Sequence, residues 1–267
     1  MRKYILIKII PLLVLISCAT VETQTNNTLV IEEPNKIDEN QLFIEYLDKD
    51  WEKNLDNNPL FASYTGDKSS NDKINSNSIE QFIKEKESDQ NSLYLLNKID
   101  LSKLSKENQL NFKLKEFGLS NSVNAAQFPT YYLRLNQRGG IQSFYETGNR
   151  LVYATEKDYY DWFKRLEQFV DNINNSLVIN KEGLAKGHTQ PKLVTKGVIA
   201  QLDAMIKSDI SSNPYLKVFK DADESIINIE DKNKLIDDAI LLIENRINPA
   251  YKKLHDFLLN DYLPNSR

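Results

Sequence analysis

Cysteine and histidine are almost missing from this chain of 267 residues, which has one cysteine, Cys18, and two histidines, His188 and His255. A single cysteine excludes an internal disulfide and a thiolate zinc site. Neither histidine belongs to a His-Glu-x-x-His pair, so the chain carries no helical zinc motif. We expect His188 to cap a helix or to lie at the surface, and His255 to lie on a polar helix face. We therefore expect no metal or other cofactor in this chain, and stability that comes from its hydrophobic core.

Glycine and proline are also scarce, with eight of each, which favours helices over short strands joined by tight turns. The phosphate-binding glycine loop, the Gly-x-Ser-x-Gly elbow and Gly-x-Gly-x-x-Gly are absent. The formal net charge is −4 and the cations are scattered among acids, so no nucleic-acid partner is indicated. The acidic run at 221–224 lacks the glycine and distal glutamate of a calcium loop and is interpreted as a solvated turn.

The first 17 residues have the features of a secretory signal. The basic residues Arg2, Lys3 and Lys8 lie around an apolar run from Ile5 to Ile16. This run is too short for a retained membrane span. The run ends at Leu15-Ile16-Ser17-Cys18, which resembles the bacterial lipobox, where the signal is removed before the cysteine and the cysteine carries the lipid. We therefore expect residues 1–17 to be a lipoprotein signal peptide and Cys18 to be lipidated, which makes the membrane a partner.

Residues 18–39 are polar and are predicted to form a flexible tether between the lipid and a folded domain. Ala19 stands where an aspartate is associated with retention in the inner membrane. By that analogy we expect a bacterial cell-envelope protein anchored in the outer membrane and facing the periplasm.

From residue 40 to residue 267 the apolar period is close to 3.6, which predicts an all-α domain built as an array of amphipathic helices. Helix starts are predicted at Pro59, Ser78, Ser105 and Thr155, and Pro249 should kink the last helix. The apolar stripes include Phe43, Leu47, Trp51 and Leu55; Leu110, Leu114 and Phe117; Tyr159, Trp162, Phe163, Leu166, Phe169 and Ile173; Val194, Val198, Leu202 and Met205; and Leu235, Ala239, Leu242, Arg246, Ala250, Leu254 and Phe257.

Only residues 127–155 lack helical periodicity, and this irregular segment holds the candidate substrate-binding residues. Tyr131 and Tyr132 carry aromatic rings with polar tips that suit a cleft, although packing of a long loop onto helices explains them equally well. Asn136 and Gln137 precede two glycines and present amides suited to an extended peptide. A turn that satisfies its own hydrogen bonds is the alternative, and physics alone favours it.

Several short motifs follow one another in a characteristic order between Trp51 and Arg267. They are Trp51-Glu52, Pro59-Leu60-Phe61-Ala62-Ser63-x-x-Gly66-Asp67, Asn136-Gln137-x-Gly139-Gly140, Thr155-x-x-Asp158-Tyr159 leading to Arg165-Leu166, Gly183-x-x-x-Gly187-x-x-x-Pro191, Pro249-Ala250-Tyr251-x-x-Leu254, and Tyr262-Leu263-Pro264-x-x-Arg267. In this order the chain resembles the N-terminal half of the bacterial family called domain of unknown function 885.

The resemblance implies an all-helical, exported or lipid-anchored protein related to zinc-dependent peptidases. The expected zinc site, a His-Glu stretch followed by another His, belongs to the second half of that fold, so no residue here inherits a metal or general-base role. We therefore expect a shortened product or an incomplete reading frame whose main partner is the missing C-terminal half. Such a half would be inactive alone and would contribute one wall of a cleft for a peptide substrate.

A different class of function also fits the sequence. A self-sufficient helical lipoprotein could bind a partner or a ligand in the envelope without catalysis. The two hypotheses differ in what the DNA encodes after codon 267.

Overall fold

A computed structural model of the protein describes residues 38–267. The signal segment, Cys18 and the tether up to residue 37 lie outside the described residues, so the predictions made for them stay predictions. The described part is helical and contains no β-strand, which confirms the all-α prediction.

The helices follow one another along the chain, and the longest connection besides the irregular segment runs from residue 66 to residue 78. They are α1 (Glu39–Asn57), α2 (Pro59–Thr65), α3 (Ile79–Leu96), α4 (Lys106–Ala125), α5 (Tyr145–Gly148), α6 (Glu156–Ala185), α7 (Lys192–Lys207), α8 (Lys217–Lys220), α9 (Ile229–Leu242) and α10 (Asn248–Phe257). Single 3₁₀ turns lie at Leu101–Lys103, Thr130–Leu133, Ile141–Ser143, Ile210–Ser212, Pro214–Leu216 and Leu263–Asn265.

Local capping chemistry places the helix ends where the sequence predicts them. Helix α2 begins at Pro59, whose missing N–H costs nothing in a first turn, and it ends at Gly66 with φ of 93°. The Ser78 hydroxyl accepts the Gln81 N–H at 3.2 Å and caps α3. These ends depend on residues within one turn, so the sequence is sufficient to locate them.

Helix α6 is the centre of the main core and packs against α9 and α10. Its predicted stripe is correct: Tyr159, Trp162, Leu166, Phe169 and Ile173 are buried and Phe163 is half-buried. A second, smaller core joins α1, α3 and α4 through Phe43, Leu96, Leu104, Phe112 and Leu119. The helices of both cores therefore bury apolar side chains against one another.

Helix α4 forms where the sequence predicts a helix, but the side of it predicted to be buried is exposed. Leu110, Leu114 and Phe117 are 59%, 62% and 68% exposed, whereas Phe112 and Leu119 are buried. Apolar residues occur on both sides of this helix, and packing against α1 and α3 decides which side is covered. The predicted stripe therefore forms an apolar surface, which we call the α4 face (Leu110, Leu114 and Phe117).

The last two helices join through a widened turn. Residues Ile243–Ile247 form a π-turn, in which the Asn248 N–H bonds to the carbonyl of Ile243. This turn ends two residues before Pro249. A second π-turn, Leu258–Tyr262, stands in the same position relative to Pro264. A proline ring clashes with the carbonyl four residues earlier, and a wider turn relieves that clash.

Because of the π-turn, one residue of the predicted apolar stripe is not buried. Arg246 was placed among the apolar positions by regular helical spacing, yet its side chain is 48% exposed. The wide turn turns Ile243 and Ile247 inward instead. Regular spacing fails here because the helix itself is not regular.

We find no helix within residues 38–267 with the length and apolar character that crossing a membrane requires.

Candidate functional site

A buried polar network fastens residues 59–73 to α6. Arg165 is fully buried, and its guanidinium donates to the carbonyl of Lys73 at 2.8 Å, to the hydroxyl of Ser63 at 2.7 Å and to the carbonyl of Pro59 at 3.1 Å. A buried cation is tolerated only where hydrogen bonds replace water. The motif residues Pro59, Ser63 and Arg165 therefore hold this part of the fold together.

Asp158 in the first turn of α6 is the second anchor. Its buried carboxylate accepts Lys68 Nζ at 2.7 Å and the N–H groups of Thr155 and Ala154 at 2.8 and 2.9 Å. Burial alone would raise the pKa of Asp158, but the hydrogen bonds from Lys68, Thr155 and Ala154 prevail and lower it below its ordinary value. The Thr155–Asp158 motif is thus a helix cap that also receives the Lys68 cation.

Tyr132, predicted to contact substrate, lies in the interior instead. Its side chain is buried, its ring stacks on His188 with centroids 5.5 Å apart, and its hydroxyl donates to Glu182 Oε2 at 3.1 Å. Lys186 Nζ donates to the same hydroxyl at 2.5 Å. These contacts fix the start of the irregular segment to the end of α6, so Tyr132 packs the segment onto a helix.

Tyr131 lies beside Tyr132, with ring centroids 4.4 Å apart, but its ring stacks on Phe82 of α3 at 5.4 Å. The Arg134 guanidinium lies 4.0 Å from the centroid of the same Phe82 ring. Together these side chains line a cavity of about 330 Å³ between α3, the end of α4 and the irregular segment. Tyr131 is therefore the predicted tyrosine that faces a cleft.

Asn136 and Gln137 form a turn that uses its own polar groups. Asn136 Oδ1 accepts the Arg138 N–H at 2.9 Å, which is an Asx turn, and Asn136 is exposed. The carbonyl of Gln137 accepts Gln201 Nε2 from α7 at 2.9 Å. The Asn136 side chain therefore fits the alternative interpretation, a turn that satisfies its own hydrogen bonds. The Gln137 side chain lines a separate cavity of about 350 Å³.

The four predicted residues do not meet in one site. Tyr131 and Gln137 line different cavities, Tyr132 is buried and Asn136 caps a turn. A third cavity, of about 200 Å³, is lined by Asn77, the irregular segment and α6, and it shares Arg134 with the first cavity and Gln142 with the second. We call it the amide cavity, because its walls include the side chains of Asn77, Gln142 and Asn180.

Gly140 allows the irregular segment to close over the amide cavity. A Cβ at this position would lie 2.5 Å from the carbonyl oxygen of Asn136 and 2.6 Å from Gln142 Oε1. Gln142 is buried, and its Nε2 donates to the carbonyl of Asn136 at 2.9 Å and to Gln201 Oε1 at 2.7 Å. The second glycine of the motif is therefore needed for close packing, whereas a Cβ at Gly139 would meet nothing within 4 Å.

Gln142 and Asn180 were not predicted from the sequence, although Asn180 carries a usable signal. It stands seven residues after Ile173, in phase with the buried stripe of α6, and it is 4% exposed. A polar residue on a buried helix stripe needs hydrogen-bond partners and so marks a site worth inspection. Gln142 stands two residues after the glycine pair and has no comparable pattern.

The other tyrosines of the segment pack onto helices. Tyr153 stacks on Tyr159 at 4.8 Å and donates to the carbonyl of Gly148, and Tyr145 meets the edge of Tyr215 at 5.9 Å. Burial raises the pKa of Tyr153 well above its ordinary range, so this hydroxyl stays protonated.

Both histidines have structural surroundings. The backbone N–H of His188 donates to the carbonyl of Gly183 at 2.8 Å at the end of α6, while its ring stacks on Tyr132, so the side chain packs against the fold and does not serve as the predicted cap. His255 is less exposed than a polar face implies: its side chain is 15% exposed, with Nδ1 3.1 Å from Asp256 and Nε2 4.0 Å from Asp203 of α7.

The acidic residues of 221–224 are exposed and paired with nearby lysines or with backbone N–H groups, as expected for a solvated turn. Within residues 38–267, no three potential metal ligands are grouped closely enough to hold an ion.

Comparison with known proteins places this fold in a larger one. A solved protein from Colwellia psychrerythraea, described as a "putative lipoprotein", is similar with a TM-score of 0.70 and 18% identity. The match covers 87% of this chain and 43% of the Colwellia chain, so this chain spans less than half of that protein's length. No curated protein matches. The family model described as "Bacterial protein of unknown function (DUF885)" matches residues 59–267, and the chain therefore belongs to that family.

Proposed function

We propose that this protein is the helical, non-catalytic N-terminal half of a lipid-anchored envelope hydrolase related to zinc peptidases, in which it contributes one wall of the substrate cleft. The observation that carries the proposal is the shared fold with a protein more than twice as long. In this proposal a zinc ion held by the second half would supply the Lewis acid for peptide hydrolysis, and the lipid on Cys18 would anchor the protein in the outer membrane.

The α4 face supports a partner for this half. Leu110, Leu114 and Phe117 lie at helical spacing and are each more than half exposed. Soluble proteins rarely leave adjacent large apolar side chains uncovered unless a partner packs against them. The second half of the longer fold is the partner we propose for this face.

The wall of the cleft is assigned to the cavity lined by Tyr131. It combines the Tyr131 and Phe82 rings with charged side chains of both signs, Arg134, Lys86, Glu85 and Asp89, which suits a peptide that has apolar side chains and a polar backbone. Gln137 and Asn136 extend the same segment, and we propose them as weaker contacts. Within residues 38–267 no group of side chains could hold a zinc ion. In this proposal zinc is held outside this part of the chain, and no catalytic step is assigned to these residues.

The decisive experiment is to sequence the genomic DNA past codon 267. An open frame with a His-Glu stretch and a later His supports the proposal. The protein from that frame should then hydrolyse peptides with zinc. Replacing Tyr131 should raise KM while kcat stays unchanged, and replacing Asn136 and Gln137 should raise KM by less while the unfolding midpoint stays unchanged. An immediate stop codon, or a complete protein without peptidase activity, would overturn it.

The second candidate is a self-sufficient helical lipoprotein that binds a ligand in the envelope. The amide cavity supports it, because the polar side chains of Asn77, Gln142 and Asn180 lie along one cavity of this chain. An immediate stop codon together with a monodisperse product would select this function.

A further inference from the structure

The cavity of about 330 Å³ beside Tyr131, which we call the Tyr131 cavity, has large apolar side chains in its wall that remain open to solvent. Phe128 and Ile83 belong to this wall and are 66% and 51% exposed. Phe82 and Tyr131 add two more rings, so the wall contains three aromatic side chains. Large apolar side chains that line a cavity and stay accessible are typical of a binding site.

Stacked side chains hold this wall in place. The Tyr131 and Phe82 rings lie 5.4 Å apart with 18° between their planes, and Tyr131 lies 4.4 Å from the ring of Tyr132. Tyr132 is buried, stacks on His188 and donates its hydroxyl to Glu182 of α6. The wall is therefore fixed between α3 and α6, and a ligand that binds there pays little for ordering it.

The charged side chains of the wall balance one another. Two are cations and two are carboxylates: Lys86, Arg134, Glu85 and Asp89. Both carboxylates already accept hydrogen bonds within the chain, because the Ser122 hydroxyl donates to Asp89 and the Gln81 amide donates to Glu85 at 3.2 Å. A ligand of either charge thus gains no net attraction from this wall, whereas a neutral ligand loses nothing by entering it.

An aromatic ring suits this wall better than an aliphatic group of the same size. Each of the three rings can pair with it edge to face or in an offset stack. The Arg134 guanidinium lies among these rings, 4.0 Å from the centroid of Phe82, and a guanidinium is attracted to the face of an aromatic ring. A volume of about 330 Å³ equals that of about eleven water molecules, which is enough for an aromatic side chain with its adjoining peptide group.

We propose that the Tyr131 cavity recognises a neutral aromatic side chain of a peptide: phenylalanine, tyrosine or tryptophan. This inference rests on the proposed function for the peptide and adds the specificity of the site to it. The rings of Tyr131 and Phe128 then determine which peptides bind, because they offer an aromatic side chain contacts that an aliphatic one does not receive.

A titration of the purified chain with N-acetyl-L-phenylalanine amide, up to about 20 mM and followed by ligand-observed NMR, tests the proposal. N-acetyl-L-cyclohexylalanine amide has nearly the same size without the aromatic ring, and N-acetyl-L-alanine amide lacks the ring altogether. We expect saturable binding of the phenylalanine amide, at least about threefold weaker binding of the cyclohexylalanine amide and no saturation with the alanine amide. No saturable binding of the phenylalanine amide, or equal binding of the cyclohexylalanine amide, would overturn the proposal.

Two matched pairs of variants locate the binding. Phe128→Ala should weaken binding of the phenylalanine amide at least about threefold, whereas Phe117→Ala, which removes an equally exposed ring from the α4 face, should not. Tyr131→Leu should act in the same direction, with the exposed Tyr94→Leu as its control. Far-UV circular dichroism confirms folding of each variant. If Tyr131→Leu fails to fold, the Phe128 pair decides, and unchanged binding by Phe128→Ala overturns the site.

The titration needs neither zinc nor a second half, so its failure is distinct from failure of the proposed function. A complete protein that cleaves peptides, while this chain does not bind the phenylalanine amide, would overturn the aromatic specificity alone. Binding by this chain, together with a complete protein that has no peptidase activity, would overturn the proposed function alone. Binding that is lost in the complete protein would show that the second half fills the cavity, and would overturn a peptide as its occupant.

Discussion

The hydroxyl of Tyr215 lies 2.7 Å from that of Tyr251, and both side chains are fully buried. Tyr251 also donates to the carbonyl of Ile141 at 3.0 Å, so its single hydroxyl proton is used there and Tyr215 must donate to Tyr251. Burial raises the pKa of both tyrosines, which keeps the two protons in place. This chain of two hydroxyls ties α10 to the residue that precedes Gln142 and so fixes one wall of the amide cavity.

Because Tyr215 donates to Tyr251 and Tyr251 donates to Ile141, the two tyrosines should not contribute equally to the free energy of unfolding. Tyr251→Phe leaves the Ile141 carbonyl and the Tyr215 hydroxyl without partners, so we expect a loss of about 2 kcal/mol in the free energy of unfolding. Tyr215→Phe removes one donor and should cost about 1 kcal/mol. Urea unfolding measures both, and Tyr94→Phe at an exposed site is the control. A larger loss for Tyr215→Phe would reverse the donor order.

Asp158 makes stability depend on pH in a predictable direction. Its pKa is lowered in the folded protein below the ordinary value of 3.8, because hydrogen bonds from Lys68, Thr155 and Ala154 outweigh burial. Its contribution is therefore complete above the unfolded pKa and is lost as pH falls through the lower folded value. Asp158→Asn should cost about 2 kcal/mol at about pH 7, and this difference should shrink below about pH 4.

Urea unfolding of the wild type and Asp158→Asn over that pH range measures the effect, with the exposed Asp171→Asn on the same helix as control. A difference that stays constant down to the acid end would mean that the charge of Asp158 does not carry the stabilisation.

Gly140 and Gly139 are neighbours with opposite expected responses to alanine. Gly140→Ala puts a methyl group 2.5 Å from the Asn136 carbonyl oxygen and 2.6 Å from Gln142 Oε1, and we expect a cost of about 1–3 kcal/mol from overpacking. Gly139→Ala meets no atom within 4 Å and should change stability by less than about 0.5 kcal/mol. Thermal unfolding compares the two, and equal effects would contradict the steric explanation.

The sequence predicted those features that depend on neighbours along the chain. The caps at Ser78 and Thr155 and the end of α2 at Gly66 use groups within one helical turn, and all three are where they were predicted. The buried face of α4 depends instead on α1 and α3, so the spacing of Leu110, Leu114 and Phe117 could not reveal that this side stays uncovered.

The site was harder to predict for a related reason. The irregular segment was located correctly, yet the fate of its polar groups depends on distant residues. Tyr132 is buried because Glu182 and Lys186 at the far end of α6 bind its hydroxyl. Gln142 and Asn180 line the same cavity, which only the folded chain creates. No local pattern encodes such approaches.

The α4 face gives the last prediction, which concerns association. If the second half of the longer fold covers this face, the isolated chain exposes it and should self-associate through it. The double substitution Leu114→Gln with Phe117→Gln should therefore lower self-association, while the unfolding free energy changes by less than about 0.5 kcal/mol, because both side chains are more than 60% exposed. Sedimentation velocity measures association and urea unfolding measures stability.

The matched control lies on the opposite side of the same helix. Phe112 is 4% exposed in the second core, so Phe112→Ala should cost about 3–5 kcal/mol. A double variant that associates as strongly as the wild type would show that the α4 face is not the contact, and the proposed packing of a second half on this face would lose its support. A double variant that is destabilised as much as Phe112→Ala would instead place Leu114 and Phe117 in the interior, against the exposure found in the structure. Reduced association with unchanged stability is the result that identifies this face as an interface.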